Sequence, residues 1–243
     1  MRVAILFLAL SFSNAFAYTC YSTHCEDIRV GLGIHYSKTY NTGVYLSGYA
    51  GGHWERFYIA GGVMIGQVYP TFAPIIDSDR QSYNSLLASA YAQIGAKLGG
   101  ENPLFLYFET RFERYDIGEN NIFSANQLFM GAYIAHHAKI SSGIVLETGL
   151  GVSPSIIRHY TSESANKGFI SQSSNIDGGY RIDTFIGMRF KRGSEYRKKS
   201  DIYMRLNGIF YHNKTYNIPI TLPPRKDYAL MLECGLSLEN LLG

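Results

Sequence analysis

Arg29, Lys97, Glu109, Arg111, Glu113, Glu147, Arg181, Asp183, Arg189, Arg205 and Glu233 carry charge on the polar side of stretches in which polar and apolar residues alternate. Six of them are basic and five acidic. Charges of both signs gathered on one side neutralise each other, because a buried charge left alone is costly. A pore selective for one kind of ion concentrates one sign instead, so near balance points to a filled interior network. Two shorter fragments raise the question of catalysis. Asp77-Ser78-Asp79 offers paired carboxylates that could orient water, and His35-Tyr36-Ser37 offers a base two positions from a hydroxyl. Neither is completed elsewhere. His159 and His212 have Ile157 and Phe210, not a carboxylate, two positions before them. His35 falls on the same inward face as Arg29 and Gly33, and His136 and His137 have no carboxylate at close spacing. With no metal-ligand array and no glycine-rich phosphate loop, the sequence names no catalytic residue, no metal and no cofactor.

The elements that must hold these charges are long strands. Between 85 and 98, Leu86, Ala88, Ala90, Ala92, Ile94, Ala96 and Leu98 share one face, and Ser89, Tyr91, Gln93, Gly95 and Lys97 the other. After the turn Gly99-Gly100-Glu101-Asn102-Pro103, Leu104, Leu106, Phe108, Thr110 and Phe112 oppose Phe105, Tyr107, Glu109, Arg111 and Glu113. A period of two held this long marks a strand with two chemically different sides. The arms match the ~9–11 residues of a bilayer-crossing strand rather than the ~5–6 of a soluble one. Eight further segments repeat the pattern, at 28–36, 44–50, 56–69, 127–137, 142–153, 180–190, 202–211 and 228–238. The expected fold is all-β: an antiparallel up-and-down transmembrane β-barrel of about ten strands, with eight as the alternative. Short connections at 51–55, 99–103, 138–141 and 191–200 alternate with longer ones at 70–84, 116–126, 154–179 and 213–227, the 37–43 connection being a short exception. Outer-membrane barrels show that asymmetry, with their short turns in the periplasm. Tyr36, Tyr69, Tyr115, Tyr160 and Tyr211 at one end, and Trp54, Phe105 and Tyr196 at the other, are expected to form interfacial girdles. Inward Tyr is expected to fill space that inward Gly vacates.

Composition agrees, with 20 Tyr, 14 Phe and 25 Gly against 7 Pro and 1 Trp. A net charge of +3 with dispersed basic residues does not suggest a nucleic-acid partner. Residues 1–17 are laid out as a secretory signal: Arg2, an apolar core, and the small-x-small site Ala15-Phe16-Ala17. The barrel domain then occupies 18–243. In an oxidising compartment Cys20 and Cys25 are expected to form a local disulfide, since His24 lacks the further ligands a metal needs. Cys234 lies on the apolar face of the last strand as a small hydrophobe.

Over essentially the whole length after residue 17, the chain resembles small outer-membrane β-barrels of the OmpA/OmpX-like kind. Glu233-x-Gly235-x-x-Leu238 looks like the polar-x-Gly-x-x-hydrophobic signal read by the barrel-assembly machinery, although a tail to Gly243 replaces the usual terminal aromatic. Asp77-Ser78-Asp79 looks like one half of an omptin protease site whose Asp-x-His half is missing. His35-x-Ser37 has the spacing used by outer-membrane lipid-acyl hydrolases, but on the wrong face. The resemblance implies export to a Gram-negative type of outer membrane, with outer-membrane lipid, lipopolysaccharide and the assembly machinery as partners. The expected function is adhesion, host contact or envelope integrity, carried by surface loops toward an extracellular ligand of unknown identity. The alternatives are a small passive pore and a lipid or peptide hydrolase. A soluble exported barrel would need the opposite sidedness, with its apolar face inside.

Overall fold

The computed structural model describes residues 24–37, 41–68, 85–100, 102–117, 123–141, 143–164, 168–175, 179–190, 200–212 and 226–238. They form β1 (His24–Ser37), β2 (Asn41–Trp54), β3 (Phe57–Val68), β4 (Ser85–Leu98), β5 (Leu104–Ile117), β6 (Phe123–Ser141), β7 (Ile144–Ser164), β8 (Gly168–Asn175), β9 (Tyr180–Phe190), β10 (Ser200–His212) and β11 (Lys226–Leu238). Each strand pairs antiparallel with its neighbours, and β1 pairs with β11, so the sheet closes. Ten strands make the closed barrel. The eleventh, β8, pairs only with the outer part of β7, while β9 pairs with 144–154 of the same strand.

The register sets the strand tilt. From Cys25 the hydrogen-bonded partners run through His53, Tyr58, Gly95, Tyr107, Tyr133, Gly151, Asp183, Ile209 and Ala229. The circuit returns to β1 at Ser37, twelve residues above its start. A stagger slightly greater than the strand number corresponds to strands inclined at about 40°.

The alternation read from the sequence separates outside from inside. Val30, Leu32 and Ile34 are 53–59% exposed, whereas Arg29 and His35, which flank them, are 6% and 4% exposed. Val44, Leu46, Val63, Ile94, Leu150, Ile186, Met204 and Leu232 continue the apolar exterior around the barrel. Charge lies inside and hydrocarbon outside, the inverse of a soluble protein, and this overturns the soluble-barrel alternative.

The short connections are tight. Glu55 and Arg56 alone link the paired residues Trp54 and Phe57, and Glu55 adopts a φ of 48°. Gly99, with a φ of 84°, opens the β4–β5 turn, a left-handed conformation that costs glycine nothing. That turn is tied to its neighbours: the backbone N–H of His137 donates to the Pro103 carbonyl at 3.0 Å, and that of Lys139 to Asn102 Oδ1 at 2.8 Å.

Two expectations need correction. The segment 154–179 is not simply a loop, because β7 continues through it to Ser164 and pairs back on β8. A register shift at Leu128/Phe129 in the β6–β7 ladder interrupts the alternation there, which hid the continuation. Tyr115 and Phe105 do not belong to a girdle: they are 7% and 5% exposed and point inward, and Tyr211 bonds inside the barrel. Tyr36 and Tyr228 at the long-loop end, and Trp54 stacked on Phe57 at the turn end, are among the exposed rings, as are Phe108, Phe112 and Phe190. Tyr69, Tyr196, the 1–17 segment and Cys20 lie outside the described residues, as does the Cys25 side chain.

Candidate functional site

The interior is a stack of side-chain layers. At the turn end, Asp27 and Arg29 on β1 meet Glu147 on β7 and Arg189 on β9. Arg29 donates to both Glu147 oxygens, at 2.7 and 2.8 Å, and through Nε to Asp27 at 2.6 Å. Arg189 donates to Glu147 at 2.6 Å and Asp27 at 3.0 Å, and Ser237 to Asp27 at 2.6 Å. The Arg29 guanidinium is sandwiched between the rings of Tyr49 and Tyr203, at 5.3 and 5.4 Å. In the strand order β1 and β7 are four places apart, so this cluster reaches across the lumen. Fork-to-fork pairing with the remaining lone pairs satisfied is the arrangement in which buried charges compensate their lost hydration.

Above it lies an aromatic layer. Tyr58 and Tyr107 meet with centroids 5.5 Å apart, and Tyr107 stacks on Tyr133 at 5.3 Å and 7°. Tyr58 and Tyr107 flank Gly95 in one row of the register, and a Cβ on Gly95 would strike the Leu106 carbonyl and Tyr107. Polar tips continue the network. Tyr49 and Tyr58 share a hydrogen bond of 3.2 Å, Tyr58 donates to Gln93 at 2.7 Å, Gln93 to Glu109 at 2.6 Å, and Arg111 to Glu109 at 2.7 Å. Tyr133 donates to Asp183 at 2.7 Å.

Toward the long-loop end Arg181 binds Glu113 and, at 2.5 Å, Asp183. Tyr211 and Tyr115 donate to Glu113 at 3.1 and 3.2 Å. At the rim Arg114 pairs with Asp116 at 2.8 Å, and Ser124 donates to Asp116 at 2.7 Å.

Of the eleven charged positions read from the sequence, eight join these clusters: Arg29, Glu147, Arg189, Glu109, Arg111, Glu113, Arg181 and Asp183. Arg205 and Glu233 are inward but separate, each bonded to a neutral side chain, and Lys97 is half-buried at the turn end. The count of charges leaves out Asp27, and also the neutral Gln93 and Ser237, although both stand on inward faces. Asp27 and Ser237 lie in phase with Arg29 and Glu233, so extending the alternation toward the strand ends finds them; Arg158, 1% exposed, lay hidden in the segment read as loop. His35 and Ser37 are 4% and 2% exposed inside the barrel, so they cannot face a lipid ester. Asp77 and Asp79 are outside the described residues. What the layers leave is a cavity of about 140 Å³, bordered among others by His35, Tyr45, Tyr91, Phe185, Arg205 and Glu233.

No family model matches the chain, and no curated protein matches it. Among solved structures it is similar to the outer membrane protease OmpT from Escherichia coli, with a TM-score of 0.51 and 13% identity over 93% of this chain and 99% of that one. The translocator domain of the autotransporter NalP from Neisseria meningitidis gives 0.46 and 8% over 98% and 95%. The toluene transporter TodX from Pseudomonas putida gives 0.36 and 7% over 88% of each chain. At 13% identity the OmpT likeness extends to the fold: this chain has the closed antiparallel barrel of bacterial outer-membrane proteins.

Proposed function

We propose that the chain is an integral outer-membrane barrel of a Gram-negative type of envelope, with a largely plugged interior, acting through its long-loop end in adhesion, host contact or envelope integrity. The carrying observation is the pairing of an all-round apolar exterior with charged layers that reach across the lumen. A lipid-facing exterior is what insertion demands, and paired charges spanning the interior leave little for solute to pass. In this reading the short turns sit in the periplasm and the β7–β8 hairpin stands on the cell surface. Lipid and lipopolysaccharide surround the barrel, and the assembly machinery reads Glu233-x-Gly235-x-x-Leu238 on the strand that closes it. Rigid scaffolds commonly carry binding on the segments they project, and the hairpin is the longest such projection described.

The test is fractionation followed by electrophoresis. The mature protein is expected in the outer membrane, migrating differently before and after boiling; a soluble, heat-indifferent protein would overturn the reading. Removal of the hairpin is expected to abolish a surface phenotype while leaving insertion intact.

A further inference from the structure

Arg205 and Glu233 face each other across the β10–β11 ladder, yet they form no ion pair. Opposite charges in cross-strand register ordinarily meet, since their Cβ atoms are about 5 Å apart. Here they diverge. Arg205 turns toward the long-loop end, where its Nε donates to Asn207 at 2.8 Å and its guanidinium lies 3.7 Å from the centroid of the Phe185 ring. Glu233 turns toward the turn end, where it accepts from the Tyr203 hydroxyl at 2.7 Å. The other inward arginines of the layers, Arg29, Arg111, Arg181 and Arg189, each hold a carboxylate. Among the described residues Arg205 holds none, and its hydrogen bond to a neighbouring side chain is made through Nε, with the terminal nitrogens left to the lumen. Both side chains border the residual cavity, which at about 140 Å³ exceeds the room a single water needs. On the same cavity wall His35 is 4% exposed, and its Nδ1 is buried without a partner.

We propose that this cavity binds a small zwitterion of the amino-carboxylate class. The carboxylate accepts from the terminal nitrogens of Arg205, held in place by Asn207 and Phe185. The ammonium donates to Glu233. A zwitterion satisfies both charges without adding net charge to the lumen, whereas a simple anion would stand unbalanced beside Glu233.

The experiment is calorimetric titration of the folded barrel in detergent with glycine, acetate and methylammonium, folding being checked by migration without boiling. Glycine is expected to bind saturably and at least about tenfold more tightly than either single-charge probe, since each of the latter meets only one of the two half-buried lumenal charges. Arg205→Gln and Glu233→Gln are each expected to lose about tenfold or more of the glycine affinity, and Glu233→Gln to bring glycine and acetate together. Failure of glycine to saturate the folded wild-type barrel overturns the proposal whatever the variants do. Acetate binding as tightly as glycine also overturns it, leaving an anion site in its place.

Discussion

At the scale of single residues, the interior distinguishes charges that are compensated from charges that are merely adjacent. The Arg181 side chain is 2% exposed and shared between Glu113 and Asp183. Glu113→Gln removes one partner and leaves the guanidinium underpaid in a low-dielectric interior, so a loss of about 3–5 kcal/mol is expected in denaturant unfolding from micelles. Arg114 pairs with Asp116 at the rim, but its side chain is 42% exposed, and Arg114→Ala should cost no more than about 1 kcal/mol in the same measurement. Glycines divide likewise. A methyl on Gly95 would overlap the Leu106 carbonyl and Tyr107, so Gly95→Ala is expected to cost about 1–3 kcal/mol, read as a lowered unfolding midpoint. Gly48 would meet only Val63 at 3.6 Å, and Gly48→Ala should stay within about 0.5 kcal/mol.

At the scale of elements, each strand presents one face to each medium, and the sidedness is a matter of one residue. Leu46, 56% exposed, pairs across the ladder with Leu32 on one side and Ile65 on the other, both exposed and apolar. In the outer-membrane reading Leu46→Arg places a guanidinium among lipid tails, at an expected cost of about 2–4 kcal/mol in folding titrations into bilayers. The extension of β7 beyond the barrel was not legible, because the ladder shift at Leu128/Phe129 breaks the period of two and Pro154 reads as a strand end. Pro154 pairs with Tyr180 at the last rung that β7 shares with β9, a position where a missing donor is easily borne.

At the scale of the whole molecule, closure and projection are separable. The β1–β11 and β7–β9 ladders close the ring without β8. Deleting 163–175, which keeps the β6–β7 rungs through Ser162, is therefore expected to leave heat-modifiable migration unchanged, and a barrel that no longer migrates as folded would show that the hairpin belongs to the closure. The layers that cross the lumen predict a silent barrel: planar-bilayer recording should give no steps above baseline, and resolved openings would count against a plugged interior.

From the order of residues alone follow the strand-rich fold, the long alternating strands, the sidedness of the ten segments that keep the period, and most of the inward charges, with Asp27 and Arg158 among the exceptions. These are legible because the period of two is local: each residue's face is decided by its neighbours one and two positions away. The partners of those charges are not local. Arg29 and Glu147 are 118 positions apart, and Arg181 and Glu113 are 68 apart. Only closure of the ring, with its twelve-residue stagger, decides that they meet, that Tyr107 lies on Tyr133, and that Arg205 and Glu233, neighbours by register, turn away from each other. Which inward side chains share a layer depends on tilt and on the register of every ladder at once, and no single segment carries that information.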